Sequence, residues 1–178
     1  MKDTLISRRE FLKDIGMIGA GVLLSASPWL SAFSEVVETS GEKCRLAIIG
    51  PGSRGRFLMS FLVQNPKVEI VALCDIYQPS IEKALELAPK AKVYDDYREI
   101  LEDKTVDAVL VATPLNSHCQ IVLDAFDAGK HVFCEKSIGF TMEECFRIYN
   151  KHISTEKVFF TGQQRLFDPR YIKAMEMI

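Results

Sequence analysis

From residue 44 onward this sequence predicts an α/β fold built on an open, doubly wound parallel sheet. Three observations predict it. Short apolar runs alternate with segments whose apolar residues recur at helical spacing. The strongest runs, 106–112 and 131–134, are almost continuously apolar, as parallel strands covered on both faces should be. The connections are short, so strand and helix join as βαβ units.

The predicted strands are CRLAIIG (44–50), VEIVALCD (68–75), a weaker AKVYDD (91–96), VDAVLVATP (106–114), KHVFCEK (130–136) and KVFFTGQ (157–163). The first helix is expected over 54–64, with Phe57, Leu58, Phe61 and Leu62 on its buried face and Pro66 beyond its end. Pro79 can open a second helix carrying Ile81, Ala84, Leu85 and Ala88 inward. Over 117–128, Ile121, Val122, Ala125 and Phe126 repeat the pattern, and Gly129 stands where a C-terminal cap belongs. Thr141 and Glu144 form a capping-box signature for the next helix.

The chain of 178 residues is 48% hydrophobic and 26% charged, values ordinary for a globular domain. A net charge of −2 with no basic stripe argues against nucleic acid as a partner. Five cysteines at 44, 74, 119, 134 and 145 show neither a C-x-x-C pair nor Cys/His ligand spacing. They read as reduced, buried thiols, and no metal site is expected.

Residues 1–34 are of a different kind. Ser7-Arg8-Arg9-Glu10-Phe11-Leu12-Lys13 resembles the twin-arginine export signal, and an uncharged run follows from Ile15 to Ser34. Glycines at 16, 19 and 21 and Pro28 make that run a poor core helix and a good weakly hydrophobic signal region. Export to the periplasm through the twin-arginine machinery is the expectation. If uncleaved, residues 15–34 could instead anchor the chain on the outer side of the cytoplasmic membrane. Cleavage stays open, because Leu30-Ser31-Ala32 is a poor signal-peptidase site. Residues 35–43 read as a linker, 44–163 as the α/β domain, and 164–178 as the start of a crossover.

The chemistry concentrates at strand ends. Gly50-Pro51-Gly52-Ser53-Arg54-Gly55 lies between the first strand and first helix, the place of a dinucleotide fingerprint. Gly50 permits the tight turn, Gly52 the approach of a pyrophosphate, and Gly55 the packing of helix on strand. Asp75, twenty residues beyond Gly55, ends the second strand, where a carboxylate accepts from ribose hydroxyls and repels a 2′-phosphate. NAD is therefore favoured, with NADP left open because Arg54 and Arg56 stand near. The competing reading of Asp75 is a cap for the following turn. Lys136, ending an apolar strand, either faces a nicotinamide and moves a proton or is a solvated lysine paired with Glu135. His118, early in its helix, is read as structural or as catalytic.

The set AIIGPGSRG, CD, ATPLNSH and AGKHVFCEKS resembles the Gfo/Idh/MocA family over about residues 44–178. The resemblance implies a Rossmann domain holding NAD or NADP and a catalytic role for Lys136, with His118 at the family's histidine position. Cofactor contacts are implied for Gly50, Gly52, Ser53, Arg54, Gly55, Asp75, Thr113, Pro114, His118, Glu135 and Lys136. It further implies a sugar or cyclitol substrate, homo-oligomers of the full-length chain, and a second, sheet-rich α+β substrate domain. That domain is expected to be missing from this sequence, as in a fragment or a truncated gene. Two departures stand out: Ser137 replaces the usual Pro after Lys136, and Leu115 stands where Asn is common. An exported oxidoreductase with tightly held cofactor is the leading expectation. A redox-neutral glycoside hydrolase of the same family and a non-catalytic binding protein are the alternatives.

Overall fold

The computed structural model describes residues 43–177. The export signal and candidate anchor lie outside the described residues. The described residues up to Gly162 form one compact unit, and those from Gln163 onward belong to another.

The first unit is a six-stranded, wholly parallel sheet in the order β3-β2-β1-β4-β5-β6. Its strands are β1 (Cys44–Ile49), β2 (Val68–Cys74), β3 (Lys92–Tyr94), β4 (Ala108–Val111), β5 (His131–Cys134) and β6 (Phe159–Thr161). Between them run α1 (Ser53–Leu62), α2 (Gln78–Leu85), α3 (Tyr97–Glu102), α4 (Leu115–Asp127) and α5 (Met142–Ile153). The order reverses between β1 and β4, so the chain leaves these neighbouring strands in opposite directions and opens a crevice at their C-terminal ends.

The central strands are apolar along their length because both faces are covered. Ala47, Ile48, Val109, Leu110 and Val132 are fully buried. Val109, Val111, Val132 and Cys134 pack with Ile121, Val122, Ala125, Phe126 and Ile148 of α4 and α5. At the entry of β1, Arg45 grips Asp107 before β4 through Nε at 3.0 Å and Nη2 at 2.7 Å.

The helix ends follow the expected chemistry. Gly129 has φ +69° after α4, and Thr141 and Glu144 form the complete capping box of α5. α1 differs from expectation: Phe57 and Phe61 are each 53% exposed, and Leu58, Met59, Leu62 and Gly55 form its buried face. The two rings instead pack edge to face, 5.1 Å apart, with the Arg54 guanidinium over Phe57. Helix α3 was not foreseen; Asp96 caps it by accepting from the Arg98 N–H. In the second unit, Asp168 caps α6 (Pro169–Glu176) in the same way through Arg170.

Four cysteines are buried and Cys145 is half-buried. Burial pushes the Cys44 thiol up to about 12 and the Cys74 thiol up to about 11. Such thiols stay protonated and unreactive.

Candidate cofactor site

Backbone hydrogen bonds bring the site loops to one edge of the sheet. Gly50 N–H donates to the Cys74 carbonyl at 2.8 Å, Ala112 to Ile49 at 2.9 Å, and Glu135 to Val111 at 2.9 Å. The glycine loop, the Ala112–Pro114 turn and the Glu135–Lys136 turn thus emerge side by side. A cleft of about 900 Å³ opens over the first two of these, lined among others by Gly50, Gly52, Asp75, Thr113 and Pro114; Glu135 and Lys136 lie outside its lining.

The three glycines do different work. Gly50 has φ +84°, and a Cβ on it would lie 2.7 Å from Thr113 N. A Cβ on Gly55 would lie 2.5 Å from the Gly50 carbonyl oxygen, so this residue lets α1 pack on the loop. Gly52 has ordinary φ of −63° and no atom within 4 Å of where a Cβ would sit. Among the described residues nothing requires glycine at 52; the open space over it is room for a ligand. Gly52 is also the N-cap of α1 and supplies no side-chain cap, and the first turn carries no acidic residue. The positive end of the helix therefore stays available to phosphate. These features fit a dinucleotide.

Asp75 lines the cleft, and its Oδ1 accepts from the Tyr77 N–H at 2.9 Å. It makes the turn cap of the competing reading and still presents its other oxygen. Arg54 is committed elsewhere: its Nε lies 2.6 Å from Glu135 Oε1. Arg56 donates to the Pro51 carbonyl at 2.8 Å. Ser53 is exposed at the start of α1, and Thr113 Oγ1 accepts from the Ser117 hydroxyl at 2.8 Å.

Glu135 is buried, and the Lys136 side chain is exposed with no partner for its ammonium among the described residues. The Glu135–Lys136 ion pair of the competing reading does not form; Arg54 takes the carboxylate instead. The Lys136–Ser137 peptide is cis although Ser replaces Pro. His118, expected in catalysis or at the cofactor, is 2% exposed and does not line the cleft. Its Nδ1 sits 2.7 Å from the Ser137 carbonyl and its Nε2 2.8 Å from the Thr113 carbonyl. Both nitrogens face backbone carbonyls, an arrangement that favours the structural reading over the catalytic one.

The sequence reading missed Tyr77, Asp95, Asp96 and Tyr97, which also line the cleft. The signal for the last three was available, since residues following a parallel strand fall on the ligand crevice. Burial and a hydrogen bond to Asp124 push the Tyr97 hydroxyl up to about 12, so it remains a neutral donor. The Arg98 N–H and guanidinium hold the Asp96 carboxyl below its usual range.

Residues 44–163 match the model of the Gfo/Idh/MocA family, described as an oxidoreductase family with an NAD-binding Rossmann fold. The chain belongs to this family. A glycosyl hydrolase family 109 protein of Stenotrophomonas maltophilia is 31% identical over 185 residues, covering 97% of this chain and 39% of the relative. An alpha-N-acetylgalactosaminidase of Shewanella oneidensis is 31% identical over 174 residues, covering 85% of this chain and 38% of the relative. The crystal structure of myo-inositol dehydrogenase from Lactobacillus casei in complex with NAD(H) and myo-inositol superposes with a TM-score of 0.70. It is 32% identical, over 76% of this chain and 41% of that one. This Gfo/Idh/MocA chain thus spans about two fifths of the length of the relatives it matches, and its domain is an NAD-binding Rossmann fold.

Proposed function

We propose that the chain is the cofactor-binding part of an exported enzyme that oxidises a ring carbinol of a sugar or cyclitol and keeps its NAD bound throughout. The observation that carries this is Gly52, a glycine with no steric cause among the described residues, lining the same cleft as Asp75 at the strand switch point. When bound, NAD would supply the hydride acceptor that lets the carbinol become a ketone. Lys136 takes the hydroxyl proton in that direction and returns it in the other. Asp75 receives the adenosine ribose hydroxyls, and the start of α1 receives the pyrophosphate. The Thr113–Pro114 turn forms part of the cleft wall. Full-length chains are expected to form homo-oligomers.

Export rests on Ser7–Lys13 and the uncharged run behind it. A cofactor carried out with a folded protein must be reset within each turnover, since no supply outside the cytoplasm replaces it. Two net reactions satisfy that condition. One couples oxidation of one sugar to reduction of another. The second cleaves a glycoside: the transient ketone acidifies the neighbouring C–H, the glycosidic oxygen leaves by elimination, water adds, and the hydride returns. This second reading is favoured by the family 109 relative, which matches 97% of the chain.

The test uses the full-length protein purified after export. Denaturation should release about one equivalent of nicotinamide nucleotide, and turnover of a sugar should leave no free NADH. Release of none would end the proposal, and steady NADH accumulation would end the retained-cofactor part. Liberation of nitrophenol from a nitrophenyl N-acetylgalactosaminide would select glycoside cleavage.

A further inference from the structure

We propose that Arg54 is a positioning residue that acts on Lys136 through Glu135, not a ligand of the cofactor's phosphates. The inference rests on the cofactor reading above and adds a role for a loop residue. Arg54 is the second residue of α1, within the glycine loop, and it reaches across 81 positions to Glu135 at 2.6 Å. The Glu135 side chain is only 7% exposed, so its charge needs a cation beside it. Among the described residues, Arg54 is the one ion-paired with it.

The carboxylate has little freedom. Its Oε2 accepts from the Lys136 N–H at 3.2 Å, and it fills the space beside Gly162, where a Cβ would lie 2.8 Å from Oε2. The far side of the lysine turn is held by His118 on the Ser137 carbonyl. With one end fixed by His118 and the other by Arg54, the turn carrying Lys136 is tied to the loop that opens α1. A ligand settling on that loop then also sets the lysine.

The experiment compares full-length Arg54→Met, Arg54→Lys, Glu135→Gln and the double variant Arg54→Met/Glu135→Gln with the parent. NAD affinity is read by calorimetry. The setting of Lys136 is read by its acetylation rate with acetic anhydride across pH, residue by residue in a mass spectrometer. Arg54→Met should change Lys136 acetylation by about fivefold or more while NAD affinity falls no more than about threefold. Glu135→Gln should do the same, the double variant no more than either single one, and Arg54→Lys should restore most of the effect. A loss of NAD affinity of about thirtyfold with Lys136 unchanged, or effects that add in the double variant, would overturn the proposal. Should Arg54→Met fail to fold, Arg54→Lys and Glu135→Gln still decide the question, because the first keeps a cation and the second removes the buried charge. A parent protein that binds no NAD would sink the cofactor reading alone, and the acetylation comparison would still stand.

Discussion

The two sides of the crevice are held in shape by different means. On the β1 side, close backbone approach sets the geometry: Gly50 closes on the Ala112–Thr113 turn, including the Thr113 methyl, and Gly55 on the Gly50 carbonyl. On the β5 side, side chains carry the geometry: Arg54 on Glu135, and His118 on the Thr113 and Ser137 carbonyls. The first side fails when an atom is added. The second fails when a charge or donor is removed, and a conservative replacement can rescue it.

The largest effect follows from the first half of that contrast. Gly55→Ala places a methyl 2.5 Å from a carbonyl oxygen that belongs to backbone and cannot turn aside. A loss of about 2–4 kcal/mol in stability is expected, read by denaturant unfolding. Gly50→Ala adds positive-φ strain to contacts under 3 Å and should fall in the same range. Gly52→Ala has open space and should leave stability unchanged while NAD affinity falls, because its methyl enters the space assigned to pyrophosphate. Equal stability losses at all three positions would erase the distinction between glycines that serve packing and the one that serves a ligand.

The β5 side depends on a side chain at its entry as well. Lys130 is buried just before β5, and its ammonium donates to the carbonyls of Asp103 at 2.7 Å and Val106 at 2.8 Å. Desolvation lowers its pKa, yet removing it strands the Val106 carbonyl and leaves the Asp103 carbonyl only the Val106 N–H. Lys130→Met should cost about 2 kcal/mol, measured by thermal or denaturant unfolding. Retained stability would mean that water replaces the ammonium and that the β5 side is less dependent on side chains than its geometry indicates.

How much of this was legible in the sequence divides along the same line. The parallel strands could be read because continuous apolar runs have few other uses. The glycine loop could be read because steric demands are written as glycines at fixed spacing. Phe57 and Phe61 misled because helical spacing identifies an apolar face without saying which arc meets the sheet; Met59 and Gly55 took that arc. Helix α3 escaped because six residues, three of them charged, make too few turns to establish a period. The Arg54–Glu135 pair spans 81 positions, and the two partners of His118 are backbone carbonyls. No local pattern encodes either contact; both exist only once the strand order is set.

Asp75 sharpens the comparison on the backbone-held side, because one carboxylate serves two ends. Asp75→Asn keeps an oxygen for the Tyr77 N–H and removes only the charge. Unfolding should be unchanged. NAD affinity in the full-length protein should fall by up to about tenfold, while NADP gains relative to NAD. An equal change for both nucleotides would remove the case that this carboxylate selects against the 2′-phosphate.

The smallest expected effect is a pH dependence confined to the β5 side. His131 Nδ1 accepts the Val158 N–H at 3.0 Å and so joins β5 to the chain entering β6. Burial, with Lys157 nearby, lowers the pKa of His131 below the ordinary 6.5, against a weaker pull from Asp107. Burial between Phe126 and Phe159 lowers that of His152 in the same direction. As pH falls below about 6.5, the unfolded chain takes up protons that the folded chain refuses, so stability declines. The decline ends once pH passes the lower folded-state value and both states are protonated. His131→Gln removes one of the two titrating groups and should flatten the slope of unfolding free energy between about pH 6.5 and 5. An unchanged slope in that variant, and in His152→Phe, would place the acid sensitivity outside the β5 side and leave its side-chain contacts indifferent to protons.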